Sequence, residues 1–269
     1  MNIATYFKLV WKTNRGFIIF SMIALAAMQI LILNLVASFD TDAMIETIFA
    51  QLPKNIQVFL GETFFSTLTL DGAAAFGYNH PMIIALITVN AITLPVRHIS
   101  RELESGTMET LLSHPITRHN FIMMLWLTGA FLLLLLTLAA FAGSLAGVYL
   151  FHELKADIIA GITAISINMW QYMMVVFTFT MMVASYKKGG GSPGNISAMV
   201  VFLFYLIFLI GQLWDKIAFM LPYNIFNYYE PQKIMLNQGH FRLDAFVLGL
   251  LTLVFLFLSL RFFNRRDIP

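Results

Sequence analysis

The sequence predicts an all-α integral membrane protein with six transmembrane helices. Of its 269 residues, 59% are hydrophobic and only 11% are charged, whereas a soluble globular chain carries about 25% charged residues. The mean hydropathy is +0.79. Uncharged stretches of about 20 residues, the length that a helix needs to cross a bilayer core, occur six times along the chain. A water-soluble globular fold is therefore excluded.

Charged and turn residues bound the six predicted spans, which all belong to one membrane domain over residues 1–269. The spans are placed at residues 16–39, 73–96, 120–151, 158–186, 195–214 and 243–262. The second span is short, because residues 81–96 cover only about 24 Å at the helical rise of 1.5 Å per residue. We extend it back to residue 73, and Pro81 and Pro95 then predict a kink or a half-submerged entry.

Lys and Arg are distributed unequally between the segments that connect the spans. The segments on the same side as both termini hold 11 of them, and the alternate segments hold 5. An even number of spans places both termini on one side, and positive residues favour the cytoplasmic side. We therefore expect both termini in the cytoplasm.

Residues 1–15 have the pattern of an amphipathic helix that lies along the inner membrane surface before the first span. One face carries Ile3, Phe7, Val10 and Trp11, and the other carries Lys8, Lys12 and Arg15. Asn14 is the exception, since it is a polar residue on the apolar side of this pattern.

The segment 215–242, between the fifth and sixth spans, is apolar and aromatic for a loop. Pro222 and Pro231 divide it into pieces that are too short to cross a membrane. We expect a re-entrant or interfacial segment here.

The sequence has no motif for catalysis or nucleotide binding. It lacks G-x-x-x-x-G-K-[ST], H-E-x-x-H and G-x-S-x-G, and it contains no cysteine. The net charge of +2 gives no basic field for nucleic acid. The spans carry no ionisable residue apart from His80 and residues at their edges, which argues against a proton path. We therefore expect neither an enzyme nor a nucleic-acid-binding protein.

Uncharged polar residues inside the spans either form hydrogen bonds between helices or line a substrate path. The candidates for lining a path are Gln29, Asn34, Asn90 and Gln212. Methionines such as Met173 and Met174 raise a copper-handling alternative, although flexible apolar packing explains them too. No metal ligand is assigned.

The inner segment 97–121 predicts a short amphipathic helix over residues 106–114, capped by Ser105 and ended by Pro115. Met108, Leu111 and Leu112 fall on one face of it. Periodicity alone leaves two interpretations open, a docking element for a partner or a surface helix that joins two spans.

Residues 101–118, which read RELESGTMETLLSHPITR, resemble the R-E-x-E-x-G-T-x-E-x-L-L-x-x-P-[IV]-[ST]-R signature of ABC-2 type permeases, the membrane subunits of a class of ABC exporters. The position of this segment after the second of six spans is similar to the family's layout. The resemblance in sequence covers about twenty residues, and the resemblance in layout covers the whole chain.

The resemblance implies that this segment is a coupling helix, which seats in a groove of a cytoplasmic ATPase subunit. The implied docking residues are Arg101, Glu102, Glu104, Gly106, Thr107, Glu109, Leu111, Leu112, Pro115 and Arg118. It further implies a dimer of permeases in a bacterial inner membrane, ATP and Mg on the partner ATPase with no cofactor on this chain, and export of a hydrophobic or amphiphilic drug, peptide or lipid-like substrate. The alternatives are a scaffold or sensor subunit that recruits a cytoplasmic partner without transport, and a copper-related permease.

Overall fold

The computed structural model describes residues 3–38, 69–108, 116–151, 153–187 and 192–266, and these residues form helices and turns without a strand. The α-helices are α1 (Ile3–Ser38), α2 (Leu70–Asn79), α3 (Pro81–Pro95), α4 (Glu102–Glu104), α5 (Arg118–Phe151), α6 (Ala156–Tyr186), α7 (Pro193–Leu213), α8 (Asp215–Ala218), α9 (Pro231–Met235) and α10 (Phe241–Asn264). A π-helical turn, Val96–Arg101, joins α3 to α4, and two 3-10 turns, Leu221–Tyr223 and Ile225–Tyr228, lie between α8 and α9.

Six helices among the described residues are long and apolar enough to cross a membrane. They are α1, the continuous helix Pro81–Glu104, α5, α6, α7 and α10. The predicted all-α chain with six such helices is therefore confirmed. The bounds of α5, α6, α7 and α10 differ from the predicted spans by at most two residues, while the assignment of the whole chain to one domain stays a prediction.

The first helix differs from its prediction. The prediction of a separate interfacial helix over residues 1–15 is wrong, because α1 runs without a break from Ile3 to Ser38. The helix continues through the predicted boundary at Arg15 and Gly16. Tyr6 and Val10 are buried against the protein itself. At 1.5 Å per residue the 36 residues extend about 54 Å, which is longer than a bilayer core.

The second span is displaced toward the C-terminus relative to the prediction of residues 73–96. His80 has an extended backbone, so α2 ends there and α3 begins at Pro81, as the restricted residue before a proline requires. The expected interruption at Pro81 is thus present. The helix then continues past Pro95 through the π-helical turn to Glu104, since nothing before Gly106 stops it.

Helix α6 is the centre of the bundle and packs against α3, α5, α7, α9 and α10. It buries 17 of its 31 residues. Met169, Met173 and Met174 are among them, where flexible thioether side chains fill gaps between helices. The methionine-rich part of the chain is therefore core, and α7, which buries five of its 21 residues, lies at the periphery.

Two glycines one turn apart bring α1 and α5 into close contact. A Cβ atom on Gly143 would lie 2.5 Å from the Cα of Ala26, and one on Gly147 would lie 2.6 Å from a side-chain carbon of Leu33. This G-x-x-x-G spacing allows two helix backbones to approach closely inside a membrane.

The broken segment between α7 and α10 folds back on α2 and α6. Tyr229 donates a hydrogen bond to the carbonyl of Tyr78 at 2.8 Å, and the amide of Asn168 donates to the carbonyl of Tyr228 at 2.9 Å. Its pieces contain at most five residues each, so none of them can cross a bilayer. The location of the segment at a membrane interface stays a prediction.

Candidate functional site

The helix that begins at Pro81 ends in an exposed tip at Arg101–Thr107. Ser105 closes this helix, because its hydroxyl donates to the carbonyl of Arg101 at 2.8 Å, and Gly106 follows with a φ of +72°. A glycine in this left-handed conformation is a common way to stop a helix. Thr107 and Met108 are helical again, so a second helix starts within one residue of the predicted start at Gly106. The rest of the predicted helix over residues 106–114 lies outside the described residues and stays a prediction.

Side-chain hydrogen bonds hold the shape of the tip. The hydroxyl of Thr107 donates to the carboxylate of Glu102, and the hydroxyls of Ser105 and Thr107 lie 2.7 Å apart. Glu102 is half-buried, whereas Arg101, Glu104, Gly106 and Thr107 are exposed. The tip thus presents charges of both signs to the solvent on a defined backbone turn.

A buried polar cluster ties the base of the tip to α1. The amide nitrogen of Asn14 lies 3.0 Å from Nε2 of His98 and donates to the carbonyl of Val10 at 2.8 Å. Arg97 donates to the amide oxygen of Asn14 at 2.9 Å. Since that oxygen faces Arg97, Nε2 of His98 is the acceptor, and the imidazole is neutral with its proton on Nδ1.

The sequence patterns did not assign this polar cluster to the candidate docking site. One signal was available: Asn14 lies on the apolar side of the N-terminal pattern, where a polar side chain needs a buried partner. The partner itself, 84 positions away, could not be read from the pattern.

Arg118 lies at the same end of the bundle but faces inward. Its guanidinium donates to the carbonyls of Arg266 at 2.5 Å and Asn264 at 3.4 Å. These carbonyls end α10 and lack helical partners. Arg118 therefore joins the start of α5 to the end of α10, at the end of the bundle that we call the basic end because it also carries Arg97, Arg101, Lys187 and Arg265.

The remaining docking residues that the resemblance implied lie outside the described residues. They are Glu109, Leu111, Leu112 and Pro115. Of the predicted helix 106–114, the structure describes Gly106, Thr107 and Met108; the last two are helical, and the side chain of Met108 is buried.

A protein-family profile described as ABC-2 family transporter protein matches residues 16–268. The chain belongs to the ABC-2 transporter family. It is a membrane permease subunit of an ABC transporter, and membership implies an ABC ATPase as its partner. No curated protein and no solved structure matches the sequence.

The four residues proposed to line a path lie in different environments in the permease. Asn90 is buried and donates to Ser21 at 2.9 Å, so it joins α3 to α1. Gln29 is buried, and neither of its side-chain polar atoms has a hydrogen-bond partner among the described residues. Asn34 and Gln212 are exposed on α1 and α7. Among the described residues, a single copy does not bring these four side chains into one cavity.

At the end opposite the basic end, the permease buries a tyrosine cluster that the sequence reasoning did not identify. The hydroxyl of Tyr78 lies 2.9 Å from that of Ser166 and 3.2 Å from that of Ser144. Tyr229 stacks on Tyr172 with ring centroids 4.9 Å apart. Burial raises the pKa of Tyr229, so its hydroxyl remains a donor to the carbonyl of Tyr78.

Proposed function

We propose that this permease dimerises and works with two copies of a cytoplasmic ATPase to move a hydrophobic or amphiphilic substrate outward across the inner membrane. ATP and Mg bind to the partner, and the permease itself binds no cofactor. The observation that carries this proposal is the continuous helix from Pro81 to Glu104 with its exposed tip at Arg101–Thr107.

A force on the tip would reach the membrane through a continuous helix. A docked ATPase that moves on ATP binding would displace the tip, and the tip has no flexible loop between it and α3. The buried polar cluster of Asn14, Arg97 and His98 connects the same helix to α1. Displacement at the tip would therefore move two membrane-spanning helices together.

Apolar surfaces on two helices favour dimerisation. Helix α7 exposes large apolar side chains such as Phe202 and Leu203 along its length, and α1 exposes Phe20 and Ile23. Such surfaces need contact with lipid or with a second copy. A dimer that joins the first, second and fifth spans would enclose a path between the copies, and the exposed Asn34 and Gln212 would line it.

The chemistry of these same surfaces favours an apolar substrate. Within the membrane-spanning part, residues 16–38 of α1 and the length of α7 expose aliphatic and aromatic side chains with few polar groups. A path bounded by these surfaces favours drug, peptide or lipid-like molecules over ions, because it offers ions no charged partner.

The test is a Gly106→Trp permease, purified in mild detergent with its co-purifying chains counted and then reconstituted to measure substrate-stimulated ATP hydrolysis. We expect loss of the stimulated component or of the ATPase subunit itself, because a bulky residue at a φ of +72° disrupts the tip. Gly249→Trp is the matched control, since nothing lies within 4 Å of a Cβ at that site on α10.

Normal coupling in the Gly106→Trp permease would contradict docking at this tip. A wild-type complex that contains an ATPase whose activity no substrate stimulates would favour the scaffold or sensor alternative.

A further inference from the structure

Three cations at the basic end surround an open cavity of about 450 Å³. Lys187 at the end of α6 and Arg265 and Arg266 at the end of α10 line it, together with Ser185, Tyr186 and Phe262. Arg266 is held in place because its guanidinium donates to the carbonyl of Ala184 at 2.7 Å. The cavity is thus formed by two packed helix ends.

The charges in this cavity are not neutralised within the part of the chain that the structure describes. Among the described residues, the ion pair with a nitrogen–oxygen distance below 4 Å joins Lys233 to Glu230, at the opposite end of the bundle. Lys187, Arg265 and Arg266 have no carboxylate partner among those residues. A concave site whose three cations lack a carboxylate partner in the described part of the chain favours an anion.

A second cavity of about 540 Å³ adjoins the first, and the accessible surface that lines it is apolar. It lies between α6, α7 and α10 and is lined by Met182, Val183, Ile196 and Leu258. Tyr186, Lys187 and Phe262 line both cavities, and the rings of Tyr186 and Phe262 are 5.2 Å apart. An anion bound among the cations would therefore be next to an apolar groove.

We propose that this composite site binds one anionic phospholipid, with its phosphate among Lys187, Arg265 and Arg266 and an acyl chain in the groove. A soluble phosphate would leave the groove empty, whereas a neutral lipid would leave the cations unpaired. The site is at the end of the bundle that is richer in Lys and Arg, the end expected to face the anionic cytoplasmic leaflet. The proposal depends on this orientation and is independent of the transport proposal.

The test is native mass spectrometry of the purified, delipidated permease titrated with phosphatidylglycerol and with phosphatidylcholine of the same acyl chains. We expect tighter binding of phosphatidylglycerol, and a loss of about tenfold or more in its affinity in a Lys187→Gln, Arg265→Gln double variant. Neither side chain donates a hydrogen bond within the described chain, so the variant should fold. Lys8→Gln with Arg15→Gln, two exposed cations of α1, is the control of equal charge and should bind like the wild type.

A second variant, Leu258→Asn, tests the groove, because it adds a polar group without changing the charge. It should weaken phosphatidylglycerol binding and leave the binding of glycerol 1-phosphate unaltered. Full competition by glycerol 1-phosphate at equal affinity would show a soluble-phosphate site and overturn the proposal.

Two other results would also overturn it. One is equal affinity of the wild type for the two lipids, or of the double variant and the wild type for phosphatidylglycerol. The other is a double variant that retains the lipid but loses the co-purifying ATPase, which would show that the cations dock a protein.

Discussion

The amide of Asn14 in α1 donates a hydrogen bond to Nε2 of His98 in the π-helical turn, at a distance of 3.0 Å. Both side chains are buried. This contact, with the hydrogen bond from Arg97 to Asn14, connects the N-terminal helix to the helix that carries the proposed docking tip.

Replacing Asn14 by Ala should lower the free energy of unfolding by about 1–3 kcal/mol, because it leaves buried polar groups of His98 and Arg97 without partners. The thermal unfolding midpoint in detergent measures this. Asn34→Ala, at an exposed position of the same helix, should have little effect. Equal midpoints for the two variants would show that the cluster does not stabilise the α1 contact.

Replacing Gln29 by Met should stabilise the permease by about 1–2 kcal/mol. Both polar atoms of this buried amide lack a partner in the part of the chain that the structure describes, and Met keeps the length of the side chain while removing them. Thermal unfolding is again the measurement. Gln212→Met, at an exposed position, should leave the midpoint unchanged, and a lower midpoint for Gln29→Met would mean that the amide does have a partner.

Replacing Gly143 by Ala should destabilise the permease by about 1–3 kcal/mol, because the added methyl group forces α5 away from the backbone of Ala26. Gly249→Ala, where the same methyl group meets nothing within 4 Å, should be neutral or slightly stabilising. Thermal unfolding of the two variants compares them directly. If Gly143→Ala unfolds at the wild-type temperature, the helices are not in backbone contact.

Replacing Tyr229 by Phe should lower stability by about 1 kcal/mol, because it removes the hydrogen bond to the carbonyl of Tyr78 and keeps the aromatic ring. Tyr223→Phe is the matched control, since Tyr223 is 83% exposed. Hydrogen exchange of the amides in 225–235 should accelerate in the Tyr229 variant alone. Unchanged exchange there would mean that this bond does not hold the broken segment on α2.

Local signals in the sequence account for most of the helices. Apolar runs bounded by charges predicted α5, α6, α7 and α10 to within two residues, and Pro81 predicted the interruption between α2 and α3. The errors arose where no local signal exists. Residues 3–15 look interfacial by amphipathicity, yet Tyr6, Val10 and Asn14 are buried against the protein while Ile3 is exposed. Periodicity cannot distinguish a lipid surface from a neighbouring helix.

The candidate site was predictable to a similar extent. The family signature located the segment, and the structure exposes Arg101, Glu104, Gly106 and Thr107 as docking residues would require. The signature could not show that Arg118 turns inward to the carbonyls that end α10, because that contact depends on where the last helix ends in space.

From the order of its residues alone, this chain must form six apolar helices, since a backbone in a bilayer has to satisfy its hydrogen bonds within each segment. The tertiary structure decides which polar side chains meet. Asn14 and His98 are 84 positions apart, and Tyr229 and Tyr78 are 151 apart. Helical periodicity relates residues three or four positions apart, so only the packing of the helices could pair these side chains.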